Sequence, residues 1–162
     1  MYTARTLLLI LASISYIIVV GGATYEHLSV VPQWSAAPPA SLTMYQGEYA
    51  LHSISFWPPM HVLTIVLLLT AAGFNWNAAP RPYVLIALAG YGLVIGITAV
   101  YFLPELSAIT QTPYQPTVDP VLTARAATWE KLSLVRLGFM LLVAATLLFG
   151  LTKVNEPFAA KP

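Results

Sequence analysis

Four stretches of this chain are long and apolar enough to cross a lipid bilayer, and that limits its fold more than any other feature. A hydrocarbon core of about 30 Å asks for roughly 20 apolar residues per helix. No charged residue interrupts 6–25 or 82–104, and His61 is the only ionisable group in 59–76. The fourth apolar run, from Leu137 to Thr152, is shorter and reaches the far interface only by extending upstream through Arg136 to about residue 129. The expected architecture is an all-α integral membrane four-helix bundle. Its 162 residues form one transmembrane domain, with connections at 26–58 and 105–120. The small residues Gly21-Gly22-Ala23 could pass for a signal-peptide cleavage site, but the first stretch is too long for one and reads as a span.

Composition agrees. Hydrophobic residues make up 58% of the chain and charged residues 8%, against roughly a quarter in soluble domains. A net charge of +1 from 7 basic and 6 acidic residues leaves no basic patch for nucleic acid. The absence of cysteine excludes disulfides, thiolate metal sites and cysteine nucleophiles. Basic residues concentrate on the cytoplasmic side of membrane proteins, and Arg5, Arg81, Lys153 and Lys161 flank one set of span ends. Both termini are therefore expected in the cytoplasm of a multi-pass cell-membrane protein (the inner membrane, in a bacterium). All three histidines and five of the six acids then fall on the outer side. Ser41 after Pro38-Pro39 reads as the N-cap of a short outer helix from Leu42 to about His52, and Asp119-Pro120 reads as a second helix start.

Polar groups in the spans converge on one level. At about 1.5 Å per residue, Glu26 lies roughly 31 Å above Arg5, Glu105 about 36 Å above Arg81, His61 about 30 Å above Arg81, and Arg136 roughly 25 Å above Lys153. Ionisable groups inside a bilayer usually face a partner or a cavity. Glu26, His61, Glu105 and Arg136 are therefore the candidate catalytic residues, Glu26 or His61 as base and Arg136 as a fork of donors for an anion. The alternative is a structural salt bridge from Arg136 to Glu26 or Glu105. At 100° per residue Arg125, Trp129 and Arg136 share one helical face, and Glu105 shares another with Thr98 and Tyr101. Tyr101, Trp129 and Arg125 are thus candidate substrate-binding residues, although a tryptophan at this depth also serves as an interface anchor.

A metal reading stands beside these. Glu48 and His52 are helical neighbours if 42–52 is a helix, and His52 folded over the bundle with His61 and Glu26 would suit a first-row transition metal. His27 points about 100° away from Glu26 and is the weaker candidate. On the third span Ala89, Gly92, Gly96 and Ala99 form a small-residue stripe, suited to helix packing inside the bundle or to a homodimer seam through Gly92 and Gly96.

The run Gly21-Gly22-Ala23-Thr24-Tyr25-Glu26, then Pro32-x-Trp34, Pro38-Pro39-x-Ser41-Leu42, Phe56-Trp57, His61 and Trp129 with Arg136 seven residues on, resembles the anthrone-oxygenase-like family of small four-helix membrane proteins. The resemblance extends over nearly the whole chain. It implies a four-helix membrane fold and oxidation of anthrones to anthraquinones by dioxygen without an added organic cofactor. Two further readings remain open: a non-enzymatic binder of a lipid or small molecule, or an accessory membrane subunit.

Overall fold

The computed structural model describes residues 4–157. Lys161, counted in the basic flank, lies outside the described residues. Four long helices make up the structure: α1 (Ala4–Ser35), α2 (Trp57–Phe74), α3 (Arg81–Thr110) and α4 (Pro120–Thr152). Each is long and apolar enough to cross a membrane, which makes the chain a multi-pass membrane protein. The described residues contain no strand.

The lower half of the bundle is tightly packed. Leu9, Ala12, Tyr16 and Val19 recur at three- and four-residue intervals on α1 and meet Leu68 and Ala71 of α2, Val84, Ala87 and Tyr91 of α3, and Met140, Val143 and Leu147 of α4. This spacing keeps one stripe of each helix turned inward. Large apolar side chains such as Leu7, Ile14, Val66, Leu93 and Leu142 stay exposed on the outer surface, as a lipid environment permits. Ser15 on α1 and Thr64 on α2 share a buried 2.6 Å hydrogen bond. Asn75 closes the end near the termini, donating to the carbonyls of Ala71 at 2.9 Å and Arg5 at 3.4 Å.

The other end is built differently. α2 has 18 residues, against 32, 30 and 33 in α1, α3 and α4. Its first residue, Trp57, is level with Glu26, so the other three helices project beyond it and the connection 36–56 folds across the gap. Within α1 a π turn occupies Glu26–Val30, and within α3 another occupies Thr98–Phe102. In each, the next residue (Val31 or Leu103) donates to the carbonyl five positions back, and a proline follows at once, Pro32 or Pro104. Proline lacks an amide donor and its ring crowds the carbonyl four residues back, so the preceding turn widens.

The short outer helix expected over 42–52 is instead a single 3-10 turn, Leu42–Tyr45. Ser41 does not cap it. Its hydroxyl turns back, donating to the Trp34 carbonyl at 2.6 Å and accepting from Ala37 N at 3.2 Å. Gln46 then goes extended and Gly47 takes φ +86°, which ends any helix. Asp119 does cap α4, its carboxylate accepting from the amides of Val121 and Leu122.

Gly92 and Gly96 do not pack inside the bundle: a Cβ added at either meets nothing within 4 Å. Gly90 is the glycine that does, since its Cβ would lie 2.8 Å from Val143 Cγ2 on α4. Val143 is β-branched and stiff. Gly90→Ala is therefore expected to destabilise the bundle by about 1–3 kcal/mol through overpacking. Gly92→Ala should leave stability unchanged or raised. Thermal unfolding of both variants in detergent checks this, and equal melting temperatures would contradict the assignment.

Candidate functional site

The mismatch in helix length, the two widened turns and the folded connection enclose a cavity of about 310 Å³. That is the small end of the ~300–1,000 Å³ range of ligand pockets. Glu26, His27, His61, Thr98, Trp129 and Arg136 all line it, drawn from all four helices, and Trp34, Tyr45, Trp57 and Phe102 supply most of the aromatic wall.

Glu26 is the first residue of the π turn in α1, and its Oε1 accepts from Trp57 Nε1 at 2.8 Å. His61 sits one turn inside α2 under the Trp57 ring, with centroids 5.5 Å apart, and its Nδ1 lies 2.7 Å from the Tyr91 hydroxyl. Arg136 donates from Nη1 to Thr98 Oγ1 at 2.8 Å and from Nη2 to Ser133 Oγ at 2.9 Å. Its guanidinium carbon lies 4.0 Å from the centroid of the Phe102 ring, while Nε is buried without a partner. The charges of Glu26 and Arg136 interact without forming an ion pair; among the described residues the ion pairs are Glu105–Arg125 and Lys153–Glu156. A structural bridge from Arg136 to Glu26 or Glu105 is therefore not formed.

Trp129 is 3% exposed, which is too deep for an interface anchor. Its Nε1 donates to the Phe102 carbonyl at 2.9 Å, and Trp34 packs edge-on against it at 5.4 Å. Tyr45 closes the site from the connection, edge-on to Trp34. Burial, with Glu26 nearby, pushes its phenol up to about 12, so it stays a protonated hydroxyl across the physiological range.

The remaining sequence candidates lie elsewhere. Glu105 is off the cavity: it holds Arg125 in a two-point ion pair, with Nε–Oε1 at 2.8 Å and Nη2–Oε2 at 2.9 Å. Tyr101 is exposed beside this pair. The reason is the π turn, because one extra residue between Thr98 and Glu105 rotates everything beyond it by about 100°. Thr98 therefore faces the cavity while Tyr101 and Glu105 face out. Arg125 shares a face with Trp129 and Arg136 but stands about 16 Å above Arg136 along α4, beyond the cavity.

The set of His52, His61 and Glu26 is not assembled. His52 is exposed at the head of the 3-10 turn Ser53–Ser55, because the chain from Gln46 onward is not helical. For the same reason Glu48 and His52 are not helical neighbours. Among the described residues no three His, Asp or Glu side chains converge as metal ligands would.

His27 is the residue that helical-wheel reasoning undervalued. It lines the cavity with its ring stacked on Trp129, at 6.4 Å between centroids and 7° between planes. No local signal marks it: neighbouring helical residues point about 100° apart, and His27 joins Glu26 because the cavity wall spans that arc. No protein-family model, curated protein or solved structure matches the chain.

Proposed function

We propose that this membrane protein binds a lipophilic, planar aromatic or quinone-like molecule in the cavity and acts on it as an oxidoreductase. The observation that carries the reading is Arg136, a permanent cation set among aromatic rings, bonded only to hydroxyls and left with a free donor. Such a wall suits an anion delocalised over an aromatic ring, and anion stabilisation in a dry site lowers the barrier to forming it. The proton leaves an activated C–H for Glu26 or His61. The carbanion then reduces dioxygen with formation of a C–O bond, the resulting peroxide anion takes the proton back as a hydroperoxide, and loss of water leaves a carbonyl. This scheme matches the chemistry implied by the resemblance to the anthrone-oxygenase-like family, and it assigns the protein no organic cofactor.

Dioxygen consumption with anthrone in detergent tests the reading. The wild type is expected to exceed the spontaneous rate, and Arg136→Leu to lose at least about a hundredfold, the scale of a lost oxyanion donor. Equal rates for the two proteins would contradict it. Anthrone binding without turnover would instead assign the cavity to a non-enzymatic binder.

In the same proposal both termini face the cytoplasm, the protein lies in the cell membrane, and the cavity opens toward the outer leaflet. Arg5, Arg81 and Lys153 at one end of the bundle support this orientation. The exposed Gly92 and Gly96 then face the bilayer, open to close approach by a second copy. Because the chain has no cysteine, single cysteines report topology directly. On intact cells a membrane-impermeant maleimide should label Thr117→Cys and spare Asn77→Cys, and the reverse pattern would overturn the orientation.

A further inference from the structure

Two side chains that line the cavity each carry a buried atom without a hydrogen-bond partner, and the two atoms are of opposite kind. Arg136 Nε carries a hydrogen and can only donate. His27 Nε2 is the other, and its character follows from the far side of its ring. His27 Nδ1 lies 2.8 Å from the carbonyl oxygen of Ala23, one turn back on α1. A carbonyl only accepts, so Nδ1 must carry the proton. In the neutral ring Nε2 is then a bare lone pair, an acceptor.

The ring is also held in place. Trp129 stacks on it nearly parallel, and Trp129 is itself pinned by the Phe102 carbonyl. With Nδ1 engaged by α1's own backbone, Nε2 is the ring atom left buried and unpartnered on a residue that lines the cavity. The other polar groups of the cavity are less defined or already engaged. Tyr91's hydroxyl can donate to His61 or accept from it, so that contact fixes no tautomer, and Glu26 Oε1 is held by Trp57.

We infer that His27 Nε2 accepts a hydrogen bond from a hydroxyl group of the bound ligand while Arg136 Nε–H donates to another oxygen on the same molecule. The cavity thus selects a hydroxy-aromatic that also carries a carbonyl or enolate oxygen. A hydrocarbon leaves both atoms unmet, and a plain quinone, which has acceptors only, leaves His27 unmet. This inference rests on the reading of the cavity as an aromatic-ligand site. It adds His27 to that site as a residue that contacts the ligand and sets its specificity.

The test is calorimetric titration of the full chain in detergent with a hydroxyacetonaphthone and with its methyl ether, in which a methyl group replaces the donor hydrogen. Wild-type protein is expected to bind the hydroxy compound about tenfold more tightly. His27→Phe, which keeps a ring against Trp129, should bind both compounds alike at the ether's affinity. His27→Gln retains an acceptor oxygen and should recover part of the preference. A purely structural His27 would instead lower both affinities together and leave their ratio unchanged. Equal wild-type affinities, or a preference that persists in His27→Phe, overturn the inference while leaving the aromatic site standing. If His27→Phe does not fold, the wild-type ratio and His27→Gln still decide. Failure of the wild type to bind either compound removes the aromatic site and this inference with it.

Discussion

Arg136 enters a largely apolar bundle and meets no carboxylate at bonding distance. Taking a charge out of water costs several kcal/mol even after relaxation, and a bilayer interior offers little to replace the lost hydration. Two hydroxyls, Thr98 and Ser133, and the face of Phe102 take up part of that cost. The remaining N–H is buried without a partner, on a side chain that lines a cavity with largely aromatic walls. A protein that needed only a locked bundle would gain by pairing Arg136 with Glu26 or by replacing both with apolar residues. Both side chains line the cavity without pairing, which is what the proposed binding site calls for.

The space for that site comes from three covalent features of the chain. Pro32 and Pro104 each widen the helical turn before them, and Pro58-Pro59 follows directly on the start of α2. Below this level the bundle packs with regular three- and four-residue spacing, and glycines such as Gly90 bring backbones together. Above it a second buried cluster of Val31, Trp34, Leu42, Phe102, Ile109, Leu122, Ala126 and Trp129 forms the roof. Asp119 N bonds the Pro38 carbonyl, and Gln46 links the first connection to the second through Thr112 and Tyr114. The roof is thus tied to the tops of three helices while α2 ends beneath it.

Much of this is legible in the amino-acid sequence. Apolar runs mark all four helices, the fourth only when extended upstream through Arg136, and helical rise alone brings Glu26, His61 and Arg136 to one level. The misplacing of Glu105 and Tyr101 has one physical source, which is that the helical wheel assumes 100° per residue throughout. It holds for Trp129 and Arg136 on unbroken α4. It fails across Thr98–Phe102, where the wide turn carries Glu105 away from the face of Thr98. Both prolines were visible in the sequence, but their effect on register depends on the helix continuing through them, which local sequence does not decide. The helix expected over 42–52 failed for a different reason: Ser41 had a second use for its hydroxyl, on a carbonyl seven residues back.

The most direct test of this account is the Nε–H signal of Arg136 in a ¹⁵N-resolved spectrum, assigned by its loss in Arg136→Lys. Addition of an aromatic enolate or phenolate should move that signal downfield and leave those of Arg5, Arg81 and Arg125 in place. A signal that stays fixed under saturating ligand, or that is already at a strongly hydrogen-bonded position in the free protein, would show that the guanidinium is satisfied by the bundle itself and that the cavity has no anion to hold.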